Sequence, residues 1–314
     1  MKHAIILHNP VSDDANEDEL DVLNQAELIE KALAKLGYSS ERMEFNLNLQ
    51  DLMHKIREKC PDIIFNLVET VNDTGRLSFI APAMLESSGF KFTGSGTESI
   101  FSTTDKVICK TILRSNQIKT PDWARDVTEI NPDKIYLTKP IAEDGSVGIE
   151  DDMLMEVKQI IAIPKGCFAE EYIHGREFNI SVIGGKGGAM VLPPAEMCFN
   201  NYSDSRPRIL GYKAKWEENS FEYKNTSRSF NFEEQDCHLL EELKGLAQRC
   251  WQIFGLRGYA RVDVRVADDN IPQVIEINAN PCIAPDSGFI AACKESGLIE
   301  TEIIKRIIED AERE

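Results

Sequence analysis

Two runs near the C-terminus, YARVDVRV from Tyr259 and QVIEIN from Gln273, alternate apolar and polar residues at period two. The ADDN between them carries turn chemistry, so the pair predicts a β-hairpin. Folding about that turn sets Asp263 opposite Glu276 and Arg261 opposite Asn278. Like charges directly opposite each other on a sheet repel, so something positive must sit between the two carboxylates. Asp263, Glu276 and Asn278 all offer oxygen to one side, a ligand set that suits Mg²⁺ shared with substrate phosphates. Arg261 projects from the same strand face as Asp263 and would stabilise charge that develops during phosphoryl transfer. The plainer alternative is a hairpin whose polar side is merely wet.

The rest of the chain limits what such a hairpin can belong to. At 314 residues it has room for two or three compact domains. A formal net charge of −18 argues against a general nucleic-acid or membrane-surface binder, which needs clustered Lys and Arg. Any anionic ligand must be held by a few local cations instead. The four-residue apolar run in MKHAIILHNP is too short for a signal peptide, and no stretch approaches a membrane span. The eight cysteines form no CxxC pair and no metal-type Cys/His spacing, as expected of reduced thiols in a cytoplasm.

Along the first ninety or so residues, strand and helix signals alternate. AIIL and DIIFNLV read as buried strands, and Val22, Ala26, Ile29, Leu33 and Leu36 form one helix face that ends at Gly37. This is βαβ patterning and predicts a parallel sheet. HNPVSDDAN after the first strand has no glycine to admit a pyrophosphate, which counts against dinucleotide binding. TGSGTES at 93–99 marks a boundary, and Ser102 is placed to cap a helix that starts near Thr103. The segment from CFAEEYIHGREFNISVIGG onward is mostly β. A polar stretch over 199–226 lacks clean periodicity and is long for a structureless loop, so it is expected to be functional or mobile.

Within this frame Lys106 and Lys139 are each ordinary surface lysines when taken singly, but together they would supply point charges to phosphate oxygens. The DGSVG loop that follows Lys139 has two glycines whose neighbouring backbone N–H groups would approach an anion. Glu170 to Ile173 is either part of a solvated face or an edge that meets a base through backbone groups, and Glu177 is within reach of ribose hydroxyls. Lys215, in the polar stretch, is a loop lysine or a lid residue closing over a ligand. No P-loop, kinase or nucleophile signature is present.

In that order, TGSG…DK, TKP…GSVG, EEYIHGREF, LPPAE, KAKW, RVDV and EINANPC resemble the ATP-grasp superfamily, and within it the D-alanine–D-alanine ligases, over roughly 65–305. The resemblance implies an α/β, three-domain ATP-grasp architecture. Its divisions would be an N-terminal parallel βαβ domain over 1–95, a central subdomain over 96–180, and a C-terminal subdomain over 181–314 that carries a lid loop at 199–226. It implies ATP held between the last two, with Lys106 and Lys139 on the phosphates under the DGSVG loop and its Ser146. Glu170 and the Tyr172–Ile173 backbone would meet adenine, Glu177 the ribose, and Lys215 the γ-phosphate. Asp263, Glu276 and Asn278 would hold two Mg²⁺, with Mn²⁺ as a substitute. Arg261, Lys215 and Ser287 would act on the reacting groups. A cytoplasmic enzyme with small-molecule carboxylate and amine substrates follows, without nucleic-acid or membrane partners, as does a homodimer.

The departures fall on the substrate side. HNPVSDDANEDE lacks the glycine pair and the pattern of the glycine-rich, Glu-containing segment with which the family holds the first D-alanine's ammonium, and Glu69 in NLVETVNDTG stands in place of a histidine. GSSVG reads DGSVG, and a family glycine is Cys282, although Ser287 is retained. Three readings stay open: an ATP-dependent ligase forming an amide on an amino acid or small peptide, an authentic D-alanine–D-alanine ligase, and a nucleotide-binding protein without turnover. Cys282 is expected to fill space, since no base accompanies it.

Overall fold

The computed structural model describes residues 2–12, 15, 17–143, 154–156, 162–203 and 206–313. Its first sheet has Lys2–His8 at the centre, with Tyr38–Glu44 on one side and Ile63–Leu67 on the other, all parallel. Ala4 to Leu7 are fully buried, as a strand covered on both faces requires. The crossover helix Glu17–Lys35 lays Val22, Ala26, Ile29 and Leu33 on that sheet. It ends before Gly37, whose φ of +82° favours a residue with no Cβ. The sheet takes a further strand, Tyr38–Glu44, and a further helix, Leu49–Lys59, that the apolar pattern did not announce.

A four-stranded antiparallel sheet follows, in the order Trp123–Ala124, Cys167–Glu171, Ile135–Pro140, Leu154–Glu156. The third sheet runs Thr226–Ser229, Ala195–Phe199, Arg176–Ile183, Tyr259–Val266, Pro272–Asn278, and Met190–Val191 pairs on Arg176–Ile183. Val262, Val264, Val266, Val274 and Ile277 bury one face of this sheet against Leu243, Ala247 and Cys250 of helix Cys237–Ile253. Arg261, Asp263 and Arg265 are thereby left on the other face. Among the described residues no helix is long and apolar enough to cross a membrane.

Two local expectations are corrected. The helix expected to start near Thr103 is two helices, Thr97–Thr104 and Lys106–Ser115, and Ser102 lies inside the first. The break is at Asp105, whose backbone is extended and whose carboxylate accepts from the Val107 and Ile108 amides at 3.1 and 3.0 Å. An ionised cap also satisfies the helix dipole, which a serine hydroxyl does less well. The stretch 199–226 is not a plain loop either, because it carries the short helices Tyr212–Trp216 and Phe221–Asn225.

Candidate active site

The hairpin forms in the expected register, with Asp263 opposite Glu276 and Arg261 opposite Asn278. A bulge lies between Asp263 and Val264, whose partner is Val274, so Ile275 is the extra residue. The protein itself supplies positive charge to each carboxylate. Arg261 grips Asp263 with both arms, Nε to Oδ1 at 2.7 Å and Nη2 to Oδ2 at 2.8 Å, and Asn179 donates to Oδ1 at 2.8 Å. Lys106, the first residue of its helix, pairs with Glu276 at 3.0 Å and also donates to the Glu143 carbonyl. Burial alone would raise the Glu276 carboxyl, but Lys106, Lys215 and Lys139 outweigh it and hold it down at about 2. About a quarter of that side chain (27%) stays accessible, so solvent screens part of this pull.

A second charge cluster stands one layer away. Glu170 is held between Lys139 and Lys110, the latter at 2.5 Å, and Lys110 also donates to the Thr120 hydroxyl at 2.8 Å. Burial pushes the Lys110 ammonium down, while the two lysines keep Glu170 ionised against its own burial. Glu177 is buried on Arg265 at 2.7 Å, and Arg265 also donates to the Ile173 carbonyl at 3.3 Å. The Tyr172 amide donates to the Ile135 carbonyl at 2.8 Å. Lys139, Glu170, Tyr172, Ile173, Glu177 and Lys215 line one small cavity of about 60 Å³, next to Glu276 and Asp263. Six sequence-derived candidates for the nucleotide thus converge, although the space holds a few waters and no purine. Ser146 lies outside the described residues.

Further along the ribbon is a cavity of about 460 Å³, which Lys215 also lines. Its lining carries the cations Arg261, Lys215 and Arg228. Burial, then Arg261, push the Lys215 ammonium down. The lining also carries the acids Asp21, Glu69, Glu143 and Asp286. Gln25 joins two of these acids, donating to Glu69 at 3.0 Å and to Asp21 at 3.3 Å. Burial, aided by Asp286, raises the Asp21 carboxyl. Cys282 donates its thiol proton to Asp21 at 2.8 Å, and burial and the Asp21 charge push that thiol well up. It is therefore a protonated donor, not a nucleophile. Ser287 caps helix Gly288–Glu295, its hydroxyl oxygen accepting from the Ile290 amide at 3.3 Å. Asn278 accepts from the Asn280 amide at 2.9 Å, and Tyr259 donates to Asn280 at 2.7 Å.

The sequence had not singled out Lys110, Asn179, Arg265, Arg228, Asp21, Gln25 or Asn280. Lys110 had a signal, being four residues after Lys106 and on the same buried helix face as Leu113. Asp21 and Gln25 share one helix face by the same spacing. Arg228 and Asn179 become site residues only through strand pairing.

The family model described as "D-ala D-ala ligase C-terminus" matches residues 111–309. The chain belongs to the D-alanine–D-alanine ligase family. Among relatives of this ligase, a Sinorhizobium fredii protein bearing only the name "Uncharacterized protein y4sG" is 28% identical over 303 residues, covering 92% of this chain and 87% of that one. The D-alanine–D-alanine ligase of Carboxydothermus hydrogenoformans is 25% identical over 305 residues, covering 91% and 92%. In fold the ligase resembles the Bacillus anthracis D-alanine–D-alanine ligase solved with ATP, with a TM-score of 0.72 at 21% identity over 100% of this chain and 98% of that one. The fold is the three-domain ATP-grasp architecture. This ligase is an ATP-dependent enzyme that forms carbon–nitrogen bonds between small molecules, and it works with a divalent cation.

Proposed function

We propose that this ligase joins the carboxylate of an amino acid or small peptide to an amine through an acyl phosphate, and that its natural pair is not two D-alanines. The observation that carries this reading is the 460 Å³ cavity, whose lining holds both acids and cations and which abuts the ribbon that also borders the small cavity. An ammonium at the Asp21–Glu69 wall would leave a carboxylate facing Arg261 and Lys215, where the γ-phosphate arrives. Among these residues Glu69 departs from the family pattern, as does Cys282, which donates to Asp21, and this supports a changed substrate.

The substrate carboxylate attacks the γ-phosphorus, the bond to ADP breaks, and an acyl phosphate forms. The amine nitrogen then bonds to the acyl carbon, loses a proton, and inorganic phosphate departs. Lys106 and Lys139 are assigned to the phosphate oxygens and would exchange Glu276 and Glu170 for the nucleotide. Lys215 meets the γ-phosphate, whose charge would restore its lowered ammonium. The Tyr172–Ile173 edge and Glu177 take the base and ribose, and Ser146 belongs with the phosphates. Arg261, fixed by Asp263, faces the charge that builds on the transferring group. Entry of a nucleotide requires helix Tyr212–Trp216 to lift off the 60 Å³ space.

Asp263, Glu276 and Asn278 fit two magnesium ions by donor chemistry, hard oxygens that leave positions for phosphate, although among the described residues no three acids, histidines or cysteines converge by themselves. Bound there, the metal neutralises phosphate charge.

The test is phosphate release from ATP and Mg²⁺ across a panel of amino acids and dipeptides, with product masses. Amide products from a pair other than two D-alanines are expected. Efficient D-alanyl-D-alanine formation from D-alanine alone would establish the second reading, which family membership favours. No phosphate release with any pair would remove the ligase assignment.

A further inference from the structure

Arg265 stands on the same strand face as Arg261 and Asp263, yet the phosphoryl chemistry does not use it. It lies directly opposite Glu177 on the neighbouring strand and pairs with it at 2.7 Å. Each of the two side chains is 6% exposed, so water screens little of the pair. A buried ion pair returns little net stability once desolvation is counted, so this one speaks for a positional role.

The guanidinium spreads its donors over three parts of the chain. Nη1 donates to the Ile173 carbonyl at 3.3 Å, on the edge assigned to the base. Nη2 serves Glu177 with one proton and the Arg208 carbonyl with the other. The ring centres of Tyr172 and Phe199 lie 5.4 and 5.9 Å from the guanidinium carbon, both within cation–π reach. Arg208 is held a second time, because its amide donates to the Tyr172 hydroxyl at 3.2 Å. The residues assigned to base and ribose thus hold one point of the 199–226 stretch by both of its backbone groups.

The chain that follows Arg208 covers the nucleotide space. Ile209 and Leu210 line the small cavity, and helix Tyr212–Trp216 brings Lys215 to it. The rest of the stretch packs on itself, with Phe199 and Phe221 at 5.3 and 5.4 Å from the Tyr202 ring. A tie at Arg208 therefore positions more than one residue.

We propose that Arg265 is a positioning residue that couples the ribose to the lid. Hydroxyls bound at Glu177 fix the shared Nη2, which holds Arg208 down and sets Lys215 against the γ-phosphate. Arg265 itself touches no reacting atom. The ribose thereby contributes to turnover as well as to ATP affinity. This inference rests on the ligase reading above and on its placement of the ribose at Glu177.

Arg265→Lys is the separating change: an ammonium keeps the charge beside Glu177, but no rigid fork remains to reach the Arg208 carbonyl. The experiment combines steady-state kinetics with hydrogen exchange over 207–216 under a non-hydrolysable ATP analogue. The kinetics compare ATP with dideoxy-ATP, which lacks both ribose hydroxyls. Wild type is expected to lose kcat, and not KM alone, when the hydroxyls are missing. In Arg265→Lys kcat with ATP should fall about 10- to 100-fold, the range of one hydrogen bond to a charged group, with KM for ATP little changed. The kcat advantage of ATP over dideoxy-ATP should vanish with it, and exchange over 207–216 should quicken. Tyr172→Phe removes the second hold on Arg208 without touching a charge; it should quicken the same exchange and serves if Arg265→Lys does not fold. A loss confined to KM, an unchanged ATP-to-dideoxy-ATP ratio in kcat, or exchange as slow as in wild type in both variants overturns the proposal. If wild type releases no phosphate with any substrate pair, the ligase reading fails separately. The exchange then decides alone: protection of 207–216 by the analogue that Arg265→Lys loses sustains the coupling, and protection that it keeps removes it.

Discussion

Replacing Glu170 with glutamine isolates a charge balance on which the nucleotide side rests. Its side chain is 4% exposed between Lys110 at 1% and Lys139 at 13%, so almost no water screens the cluster. Glutamine has the same shape but no charge. It leaves two ammonium groups facing each other, with the Thr120 hydroxyl at 2.8 Å as the remaining partner of Lys110. Breaking a buried pair by removing one partner costs about 3–5 kcal/mol. Lys139 is the least buried of the three and can turn toward solvent, which places the expected loss near the lower end, about 3 kcal/mol. The assay is urea denaturation at pH 7 followed by tryptophan fluorescence, since Trp123 pairs directly with Glu170 across the sheet. A second signature concerns pH. Without Glu170 the Lys110 ammonium, already below its ordinary 10.5, falls further. A lysine with a depressed folded pKa costs stability while it is charged and unfolding is free to keep it so. The deficit should therefore be full below the folded-state pKa and shrink as pH rises from there toward 10.5. The double variant Lys110→Met/Glu170→Gln should recover most of the loss. A deficit below about 1 kcal/mol, the same at all pH values, would refute the balance described.

Three other outcomes are expected. Glu276→Gln should cut turnover at least about 100-fold while the protein stays folded; because Glu276 is held near 2, the stability it contributes is present above about 4.5 and lost as pH falls toward 2, so acid unfolding of this variant should flatten over that window. Arg261→Ala should lower kcat far more than it raises KM for ATP, as steady-state kinetics will show, since its charge acts on the transferring group. Cys282 should resist iodoacetamide at neutral pH while exposed Cys60 and Cys237 react, a contrast read by peptide mass spectrometry.

What could be read without coordinates followed from periodicity. The hairpin register came from two alternating runs around one turn, and the first helix from a 3.6-residue stripe that the sheet does bury. Strand Tyr38–Glu44 was hidden because it edges its sheet and mixes polar residues with few buried positions. Asp105 was hidden because an apolar stripe runs past a cap without showing the break. On the nucleotide side, the lysines and acids were recognisable by type, but their partners were not: Lys110 reads as any helix lysine until Glu170, sixty residues on, lies against it. The substrate wall was least visible. Asp21 and Gln25 on one helix, Glu69 after a strand, and Cys282 and Asp286 beyond the hairpin meet only when three parts of the chain assemble.

The extra residue at Ile275 has a consequence for how this sequence can change. Val274 and Ile277 both face the apolar side although three positions separate them, an odd count that a regular strand would send to opposite faces. The irregularity absorbs the mismatch, turning Ile275 toward the small cavity and keeping Glu276 beside Lys106. Parity therefore guards this strand: gaining one residue between Val274 and Glu276, or losing one between Glu276 and Asn278, would swing an acid into the hydrocarbon interior. Substitutions there can drift, but insertions and deletions must come in compensating pairs.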